Sequence, residues 1–412
     1  MSFARTKNYL NTFVNYEKNI NFSYQNDLNL NRVKKLLKNL KIPYQKLNVI
    51  HIAGTKGKGS TAHFCASILK KSGYKVGLYT SPHFFDVRER IKVSDKDISR
   101  KDFSQIINWI RRKRCDDCSF FEIITIAAFK YFIDKKVDFV VLETGMGGRL
   151  DATNVSSAGI SIITRIGYDH TDKLGTTLFS IAKEKAGIIK RKVPVISAKQ
   201  PASAALAIKN QCNKLSSRLY SFGREIKVID GKDFYFQNKC IKNLKTKLLG
   251  DHQIENASLA IAALVNLEQR GIIKKPLMVK PGVKSAFLPG RFEVVKRKPL
   301  TILDIAHNST AFAVLQNTLE KHFANKKIIL IFAASSDKNI KGMLKKIHYS
   351  KLILTQFENS RCFNPSKIKA DFISDNVAVA YCQARKLYTK DSLILIAGSI
   401  FLVAQAKKML KL

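Results

Sequence analysis

The sequence contains no apolar stretch approaching the roughly 20 residues that a helix needs to cross a bilayer. Its first residues also lack the continuous apolar segment and the small-residue cleavage site of a signal peptide. The seven cysteines are scattered over 412 residues without the spacing of a disulfide framework. These absences argue against a membrane protein and a disulfide-stabilised secreted protein, and they predict a cytoplasmic protein with reduced thiols.

The cysteine pattern also lacks a zinc site. Cys115 and Cys118 form a C-x-x-C pair, but no second Cys or His pair follows at zinc-finger spacing. The pair does not come directly after a strand either, as a thioredoxin-type redox motif would. We interpret it as chance spacing in a polar loop.

Acidic residues are scarce. The chain has 31 Asp and Glu against 72 Lys and Arg, a formal net charge of +41. One interpretation is a nucleic-acid-binding protein that neutralises phosphates. The other is a lysine-rich background, because Lys, Asn and Ile are abundant together along the whole chain and no arginine-rich tail or aromatic-interleaved RNA module is present. We favour the second interpretation, in which a basic surface still attracts polyanions such as ATP.

Strands and helices alternate in the first part of the chain. Leu47–Ala53 is a β-branched apolar run that ends in a glycine-rich turn, and Ser60–Ser72 has helical periodicity. Further elements follow in the same manner, namely buried strands at Phe139–Leu142, Ile160–Thr164 and Val193–Ser197 and amphipathic helices at Phe121–Ile133 and Leu178–Lys190. This alternation predicts an α/β fold with a mostly parallel sheet and helices on both faces.

A second series of strands follows the Pro289-Gly290 turn. Its predicted strands are Thr301–Ile305, Lys327–Phe332, Lys351–Thr355 and Leu393–Ile396, with helices between them. Each series has enough strands for its own sheet and core. The sequence therefore predicts a large N-terminal P-loop ATPase domain, residues 1–288, and a smaller Rossmann-like α/β domain, residues 289–412.

The strongest local motif is a glycine-rich run, GTKGKGS, at residues 54–60. It directly follows a strand and opens a helix, which is the context of a phosphate-binding loop. Glycines let backbone N–H groups approach a phosphate, and a lysine reaches the β- and γ-phosphates. The residues expected to bind the nucleotide here are Thr55, Gly57, Lys58, Gly59 and Ser60. The alternative, a basic glycine turn without a ligand, does not account for the flanking strand and helix.

Two further side chains follow predicted strands. Glu143 ends one buried strand, and His170 comes just after another. Ligand sites form at the carboxyl ends of strands in open α/β sheets, and a carboxylate suits Mg²⁺. Taken singly, Glu143 could pair with a basic side chain, and His170 could be a phosphate contact or a core histidine. Together they predict a metal site.

The motifs occur in an order that resembles the folylpolyglutamate synthase/dihydrofolate synthase family of the Mur-ligase superfamily. The motifs that carry the resemblance are GTKGKGS, TSPH (80–83), FFEIIT (120–125), LETGMGGRLDATN (142–154), DHTDKLG (169–175), EKAGIIK (184–190), HQIENA (252–257), PGRFE (289–293), DIAHN (304–308) and AGSIFLV (397–403). The resemblance extends from the phosphate-binding loop to the C-terminus. It departs at Lys56, where the family usually has Asn, and at Ile305 and Ser309.

The resemblance implies the following roles. Ser60, Ser81, Glu143 and His170 would hold two Mg²⁺ ions between them. Lys185 matches a lysine that is carbamylated in the family, although its sequence context alone would make it a solvated helix residue. The resemblance also implies that Asn256 contacts adenine.

The resemblance also implies functional roles for three residues of the second domain. Arg291, Asp304 and His307 would reach the nucleotide or the reacting groups, with Lys58, Lys185, Asp304 and His307 expected to be catalytic. The Pro289-Gly290 turn would then serve as a hinge for domain closure.

The implied function is an ATP-dependent ligase that adds L-glutamate to dihydropteroate or reduced folate through an acyl phosphate. The resemblance favours both activities in one chain, and a monomer is the expected state. A cell-wall Mur ligase is the alternative enzyme, but only 53 residues precede Gly54, fewer than a separate N-terminal domain of about 100 residues would need. A basic nucleic-acid-binding P-loop ATPase is the alternative from another class, and it leaves the Glu143, His170 and DIAHN set without explanation.

Overall fold

The computed structural model describes residues 2–17, 22–113, 117–358 and 361–412, so Cys115 lies outside the described residues. The helices are α1 (Phe3–Leu10), α2 (Tyr24–Asp27), α3 (Leu30–Asn39), α4 (Lys58–Lys71), α5 (Arg100–Arg111), α6 (Phe120–Asp134), α7 (Thr171–Leu174), α8 (Leu178–Ala186), α9 (Ala202–Lys214), α10 (Asp251–Gln269), α11 (Val279–Ser285), α12 (Ser309–Phe323), α13 (Ile340–Leu344), α14 (Val377–Leu387) and α15 (Ile400–Met409). In the described ranges, no helix is both long enough and apolar enough to span a membrane.

The strands belong to three sheets. They are β1 (Val49–Ala53), β2 (Val76–Tyr79), β3 (Ile91–Val93), β4 (Lys96–Asp97), β5 (Phe139–Glu143), β6 (Ala158–Ile163), β7 (Val195–Ser197), β8 (Leu219–Ser221), β9 (Ile226–Ile229), β10 (Asp233–Phe236), β11 (Lys239–Ile241), β12 (Glu293–Arg297), β13 (Leu300–Asp304), β14 (Lys327–Phe332), β15 (Lys351–Leu354), β16 (Phe372–Ile373) and β17 (Ser392–Ala397).

The first compact unit comprises residues 1–247 and 252–286. Its main sheet has the strand order β4-β3-β2-β5-β1-β6-β7-β8, in which β2, β5, β1, β6, β7 and β8 are parallel. The central strands β1 and β5 are buried along their whole length, because helices cover both faces of the sheet. One apolar cluster packs α3, α5 and α6 against one part of the sheet, and a second packs α8 and α9 against another.

A small antiparallel sheet of β9, β10 and β11 also belongs to this unit. Its strands alternate in burial, with Phe234 and Phe236 inside and Tyr235 between them less buried. The sequence pattern did not predict this sheet, because its short strands lie among lysines and turn residues.

The second compact unit comprises residues 248–251 and 287–412. Its sheet has the order β12-β13-β17-β14-β15-β16, and every neighbouring pair except β12 with β13 is parallel. Two α/β units with mostly parallel sheets confirm the predicted fold class. The predicted functional division at residues 288 and 289 stays a prediction.

One predicted helix is too long. The helix predicted at Leu178–Lys190 ends at Ala186. Gly187 follows as the C-cap, and its carbonyl accepts a hydrogen bond from the Asn154 side chain at 3.0 Å. A Cβ atom on Gly187 would overlap Arg149, so glycine is the residue that fits at this cap.

Candidate active site

Four adjacent parallel strands end at one edge of the main sheet. In spatial order they are β2, β5, β1 and β6. Ser81 follows β2, Glu143 ends β5, the glycine-rich run follows β1, and His170 lies in the segment after β6. Parallel strands place their carboxyl ends together, so the sheet gathers these predicted site residues at one edge.

The glycine-rich run has the geometry of a phosphate-binding loop, and two of its glycines, Gly54 and Gly57, are required. Gly54 and Gly57 have φ values of +151° and +90°, which other residues rarely adopt. A Cβ atom on Gly57 would overlap the side-chain amide of Asn256, and one on Gly54 would overlap Thr164. Gly57 is the N-cap of α4, so the first-turn N–H groups, those of Gly59 and Ser60 among them, have no partner within the helix. Such groups form an anion site.

Thr55 anchors this loop to its neighbour. The Thr55 N–H donates to the Arg165 carbonyl at 3.0 Å, and the Lys56 N–H donates to the same oxygen at 3.1 Å. The Thr55 hydroxyl donates to the Gly167 carbonyl and accepts from the Gly167 N–H, both at 3.1 Å. The hydrogen-bonding groups of Thr55 therefore hold the loop, and its predicted contact with nucleotide stays a prediction.

Two lysines meet at one carbonyl oxygen of the loop. Lys58 Nζ donates to Gly54 O at 3.1 Å, and Lys185 Nζ donates to the same oxygen at 3.0 Å. Lys185 is only 3% exposed, so its interpretation as a solvated helix residue is wrong. The reason is tertiary, because the loop after β5 covers the end of α8, with Gly148 against the Lys185 carbonyl.

The environment of Lys185 favours a neutral amine. Burial, together with the positive charge of Lys58, lowers the pKa of Lys185 to about 7, against the opposing effects of Asp169 and Asp151. An amine with such a pKa is about half deprotonated near neutral pH, whereas an exposed lysine is almost fully charged. A neutral amine is the form that acts as a nucleophile or forms a carbamate.

Ser81 and Glu143 are brought into contact. Glu143 is 4% exposed, and its Oε2 accepts a hydrogen bond from the Ser81 N–H at 3.2 Å. Ser60, in the first turn of α4, is also 4% exposed. Among the described residues, no three His, Cys, Asp or Glu side chains form a metal-binding group. A metal at this edge would therefore need serine hydroxyls, water or substrate phosphates as its other ligands, which suits Mg²⁺.

His170 is exposed, so the interpretation of this residue as a core histidine is wrong. Its side chain is 51% exposed. His170 is the N-cap of the short helix α7 and has a φ of +49°. The surrounding protein and the charges of Lys185 and Lys58 lower the pKa of His170, while Asp169 raises it. A neutral imidazole beside two lysines retains a lone pair for a metal or proton.

Asn256 lies on α10 against the phosphate-binding loop. It is 7% exposed, and its Nδ2 donates to Gln253 Oε1 at 3.2 Å. The amide occupies the space beside the Cα of Gly57. Its predicted contact with adenine stays a prediction.

Tyr24 contacts the loop that follows Glu143. It is 3% exposed, and its hydroxyl accepts from the N–H groups of Gly148 and Leu150 at 3.5 and 3.4 Å. Gly147, with a φ of +66°, lies directly against the Tyr24 hydroxyl. Tyr24 therefore shapes the loop that follows Glu143. A tyrosine in a polar N-terminal segment gives no sequence signal for such a role.

The second unit gathers the other predicted residues. The Asp304 carboxylate accepts from the Phe292 N–H at 2.8 Å and the Ala306 N–H at 2.7 Å. Burial raises the pKa of Asp304, and the nearby charges of Arg291 and His307 oppose this. Among the described residues, Arg291 Nε is buried without a hydrogen-bond partner. These three side chains form one polar group within the unit, with His307 exposed at its edge.

Comparisons with known proteins identify the family of this chain. The Mur ligase middle domain matches residues 52–264, and the glutamate ligase domain of Mur ligases matches residues 290–400. The dihydrofolate synthase/folylpolyglutamate synthase of Bacillus subtilis is 33% identical over 409 residues, which cover 93% of this chain and 95% of that protein.

Solved structures show the same fold. The Escherichia coli protein FolC in complex with DHPP and ADP is 29% identical, with a TM-score of 0.87 and coverage of 100% of this chain and 98% of that chain. A bifunctional folylpolyglutamate synthase/dihydrofolate synthase with Mn, AMPPNP and L-glutamate bound gives the same identity, TM-score and coverage. The chain therefore belongs to the dihydrofolate synthase/folylpolyglutamate synthase family of the Mur ligases, and it is an ATP-dependent ligase.

Proposed function

We propose that this ligase adds L-glutamate to dihydropteroate and to reduced folates, with ATP as the activating substrate. The observation that carries the proposal is the convergence of the phosphate-binding loop, Glu143 and the buried Lys185 at one sheet edge. The bound Mn, AMPPNP and L-glutamate of one structural neighbour match the ligands that this edge would need.

The first step is phosphoryl transfer to the acceptor carboxylate. One carboxylate oxygen attacks the γ-phosphorus of ATP, and the bond from that phosphorus to the β,γ-bridging oxygen breaks. ADP is the leaving group, and the acceptor becomes an acyl phosphate. Lys58 and the first-turn N–H groups of α4 would stabilise the negative charge on the transferring group. Mg²⁺, held by Ser60, Ser81, Glu143 and His170, would neutralise phosphate charge.

The second step is amide formation. The glutamate amine attacks the acyl carbon, the carbon–oxygen bond to phosphate breaks, and inorganic phosphate leaves as the amine loses a proton. The protein needs no nucleophile of its own, because positioning and electrostatics supply most of the catalysis. We propose that Arg291, Asp304 and His307 of the second unit are required for this reaction.

We further propose that Lys185 is carbamylated and that two metal ions bind. The neutral Lys185 amine would attack carbon dioxide and release a proton, and the resulting anion would sit beside Lys58. Isotope-labelled bicarbonate should then give a carbamate carbon signal in the native protein. The signal should vanish in Lys185→Arg and persist in the matched variant Lys183→Arg, because Lys183 is exposed.

The test of function is phosphate release from MgATP. It is measured with L-glutamate and dihydropteroate, with L-glutamate and tetrahydrofolate, and with L-glutamate alone, using Lys58→Ala as the control. Release that needs both glutamate and a pterin acceptor supports the proposal, and turnover of both acceptors supports the bifunctional form.

Other results would contradict the proposal. Turnover of only one acceptor would refute the bifunctional form. Release that ignores pterins but responds to a uridine-nucleotide-linked precursor would favour the cell-wall alternative, and release stimulated by RNA or DNA would favour the nucleic-acid alternative.

A monomer acting in the cytoplasm, with functional domains at residues 1–288 and 289–412, also stays our proposal.

A further inference from the structure

Three buried polar side chains lie in one short segment after the loop that follows β5. They are Asp151, Thr153 and Asn154, which are 4%, 0% and 8% exposed. We call these three residues the polar hub. Each of them bonds to a different part of the unit, so together they connect elements that are distant in the sequence.

Asp151 fixes the turn immediately after Glu143. Its Oδ2 accepts from the N–H groups of Gly145 and Met146 at 2.8 and 3.0 Å. Its Oδ1 accepts from the N–H and hydroxyl of Thr153 at 3.0 and 2.5 Å. Four donors therefore fill the four lone-pair positions of an ionised carboxylate.

The Thr153 hydroxyl links Asp151 to His51 of β1. A hydroxyl has one hydrogen, and Thr153 gives its hydrogen to Asp151. His51 Nε2, 2.8 Å from the same hydroxyl oxygen, must therefore be the donor in that contact. This assigns the hydrogen of His51 to Nε2 and leaves Nδ1 as a buried acceptor without a partner among the described residues.

His51 is suited to donate as a neutral ring. It is 0% exposed and lies in β1, three residues before the phosphate-binding loop. Burial and the positive charge of Lys190 hold the pKa of His51 well below its usual range. An apolar residue would fill this strand position without the unpaired Nδ1, so packing alone does not account for the histidine.

Asn154 connects the hub to the end of α8. Its Nδ2 donates to the carbonyls of Arg149 and Gly187, each at 3.0 Å. Its Oδ1 accepts from Lys190 Nζ at 2.8 Å. Gly187 caps the helix whose last turn carries Lys185. The hub thus joins β1, the turn after Glu143 and the helix of Lys185.

We propose that His51 and Thr153 are positioning residues that hold the turn after Glu143 in register with the phosphate-binding loop, while Asn154 holds the end of the helix that carries Lys185. The proposal rests on the ligase function proposed above. Neither residue is exposed, so neither contacts substrate directly. Their hydrogen bonds set the direction of the turn after β5, and a displacement of about 1 Å in such a site can cost roughly 100-fold in rate.

The test compares variants that differ by one hydrogen-bonding group. Thr153→Val removes the hydroxyl at nearly constant volume, and Thr153→Ser keeps it. We expect Thr153→Val to lower kcat roughly 10- to 100-fold with little change in the KM for ATP. Thr153→Ser should recover most of kcat. His51→Leu and His51→Gln form a second pair, in which the glutamine keeps a donor.

Backbone amide exchange is read in the same variants. Loss of the hydroxyl should speed exchange at Gly145 and Met146, whose N–H groups bond to Asp151. It should leave Thr144 unchanged, because the Thr144 N–H donates to the Ile52 carbonyl at 2.9 Å. Thr144 is therefore an internal control against global loosening.

The outcomes separate the two proposals. Native-like kcat in Thr153→Val, or equal losses in the valine and serine variants, would overturn the positioning role. If Thr153→Val does not fold, the His51 pair decides by the same criterion. If the native chain shows no glutamate-dependent turnover, the proposed function fails. Unchanged exchange at Gly145 and Met146 in Thr153→Val would overturn the positioning role independently of the function.

Discussion

At the scale of single residues, Gly57 has a backbone conformation and surroundings that exclude a side chain. Its φ of +90° and the close amide of Asn256 leave no room for a side chain. We expect Gly57→Ala to weaken ATP binding strongly and to cost more than the roughly 1–2 kcal/mol of left-handed strain alone. Gly223→Ala is the matched control, because Gly223 has the same φ of +90° but open space within 4 Å of the position that a Cβ atom would take.

Calorimetry measures the change in ATP binding, and chemical denaturation measures the change in the free energy of unfolding. Gly223→Ala should bind nucleotide normally and lose only the strain energy. Equal behaviour of the two variants would show that the Asn256 contact is unimportant.

Lys185 gives a pH-dependent prediction. Its folded pKa of about 7 lies below the ordinary value of 10.5. Between these pH values the unfolded chain binds more protons than the folded chain, so the free energy of unfolding rises with pH. Below pH 7 the folded protein bears the full destabilisation caused by a charged, buried Lys185. Each unit by which the folded pKa is lowered contributes about 1.4 kcal/mol to that destabilisation.

The variant Lys185→Met removes this cost. We expect it to be more stable than the native protein at pH 6, with the difference shrinking as pH rises to 9, and to lose ligase activity. Denaturant unfolding in carbon-dioxide-depleted buffer measures this, because a carbamate would change the charge. A stability difference that does not vary with pH would contradict the lowered pKa.

At the scale of elements, one buried ion pair joins β12 to the last helix of the second unit. Lys407 Nζ lies 2.6 and 2.9 Å from the two carboxylate oxygens of Glu293, and the side chains are 10% and 12% exposed. Glu293 also accepts from the Gly290 N–H at 2.7 Å, so the pair holds the turn that carries Arg291.

Breaking this pair should destabilise the second unit. Lys407→Ala leaves a buried carboxylate without its cation, and such losses cost about 3–5 kcal/mol. Lys408→Ala, at the exposed neighbouring position, should have little effect. Denaturant unfolding of both variants tests the prediction, and similar midpoints would refute it.

At the scale of the whole molecule, the net charge of +41 predicts a strong salt effect. Substrates with several negative charges are attracted over distances that salt shortens, with a Debye length of about 10 Å at 0.1 M and about 3 Å at 1 M. The KM for ATP should therefore rise with sodium chloride, while kcat, measured at saturation, should change less. A KM that is independent of salt would show that the charge does not steer substrate.

The sequence alone determined the elements and the chemistry that local pattern encodes. The β-branched runs at β1 and β5, and the glycines before α4, carry their structure in neighbouring residues, because burial of a strand and a positive φ leave a local signature. Parallel strands share one carboxyl edge, so the predicted parallel sheet brings Glu143 to the edge that holds the phosphate-binding loop.

Only the tertiary structure decided what surrounds each side chain. Lys185 occupies a helix position that looks solvated in sequence, and it is buried because a loop from another strand covers it. His51 occupies a position suited to an apolar residue, and its partner Thr153 is 102 residues away. Burial, pKa and hydrogen-bond partners depend on contacts between distant segments, and local pattern carries no information about those contacts.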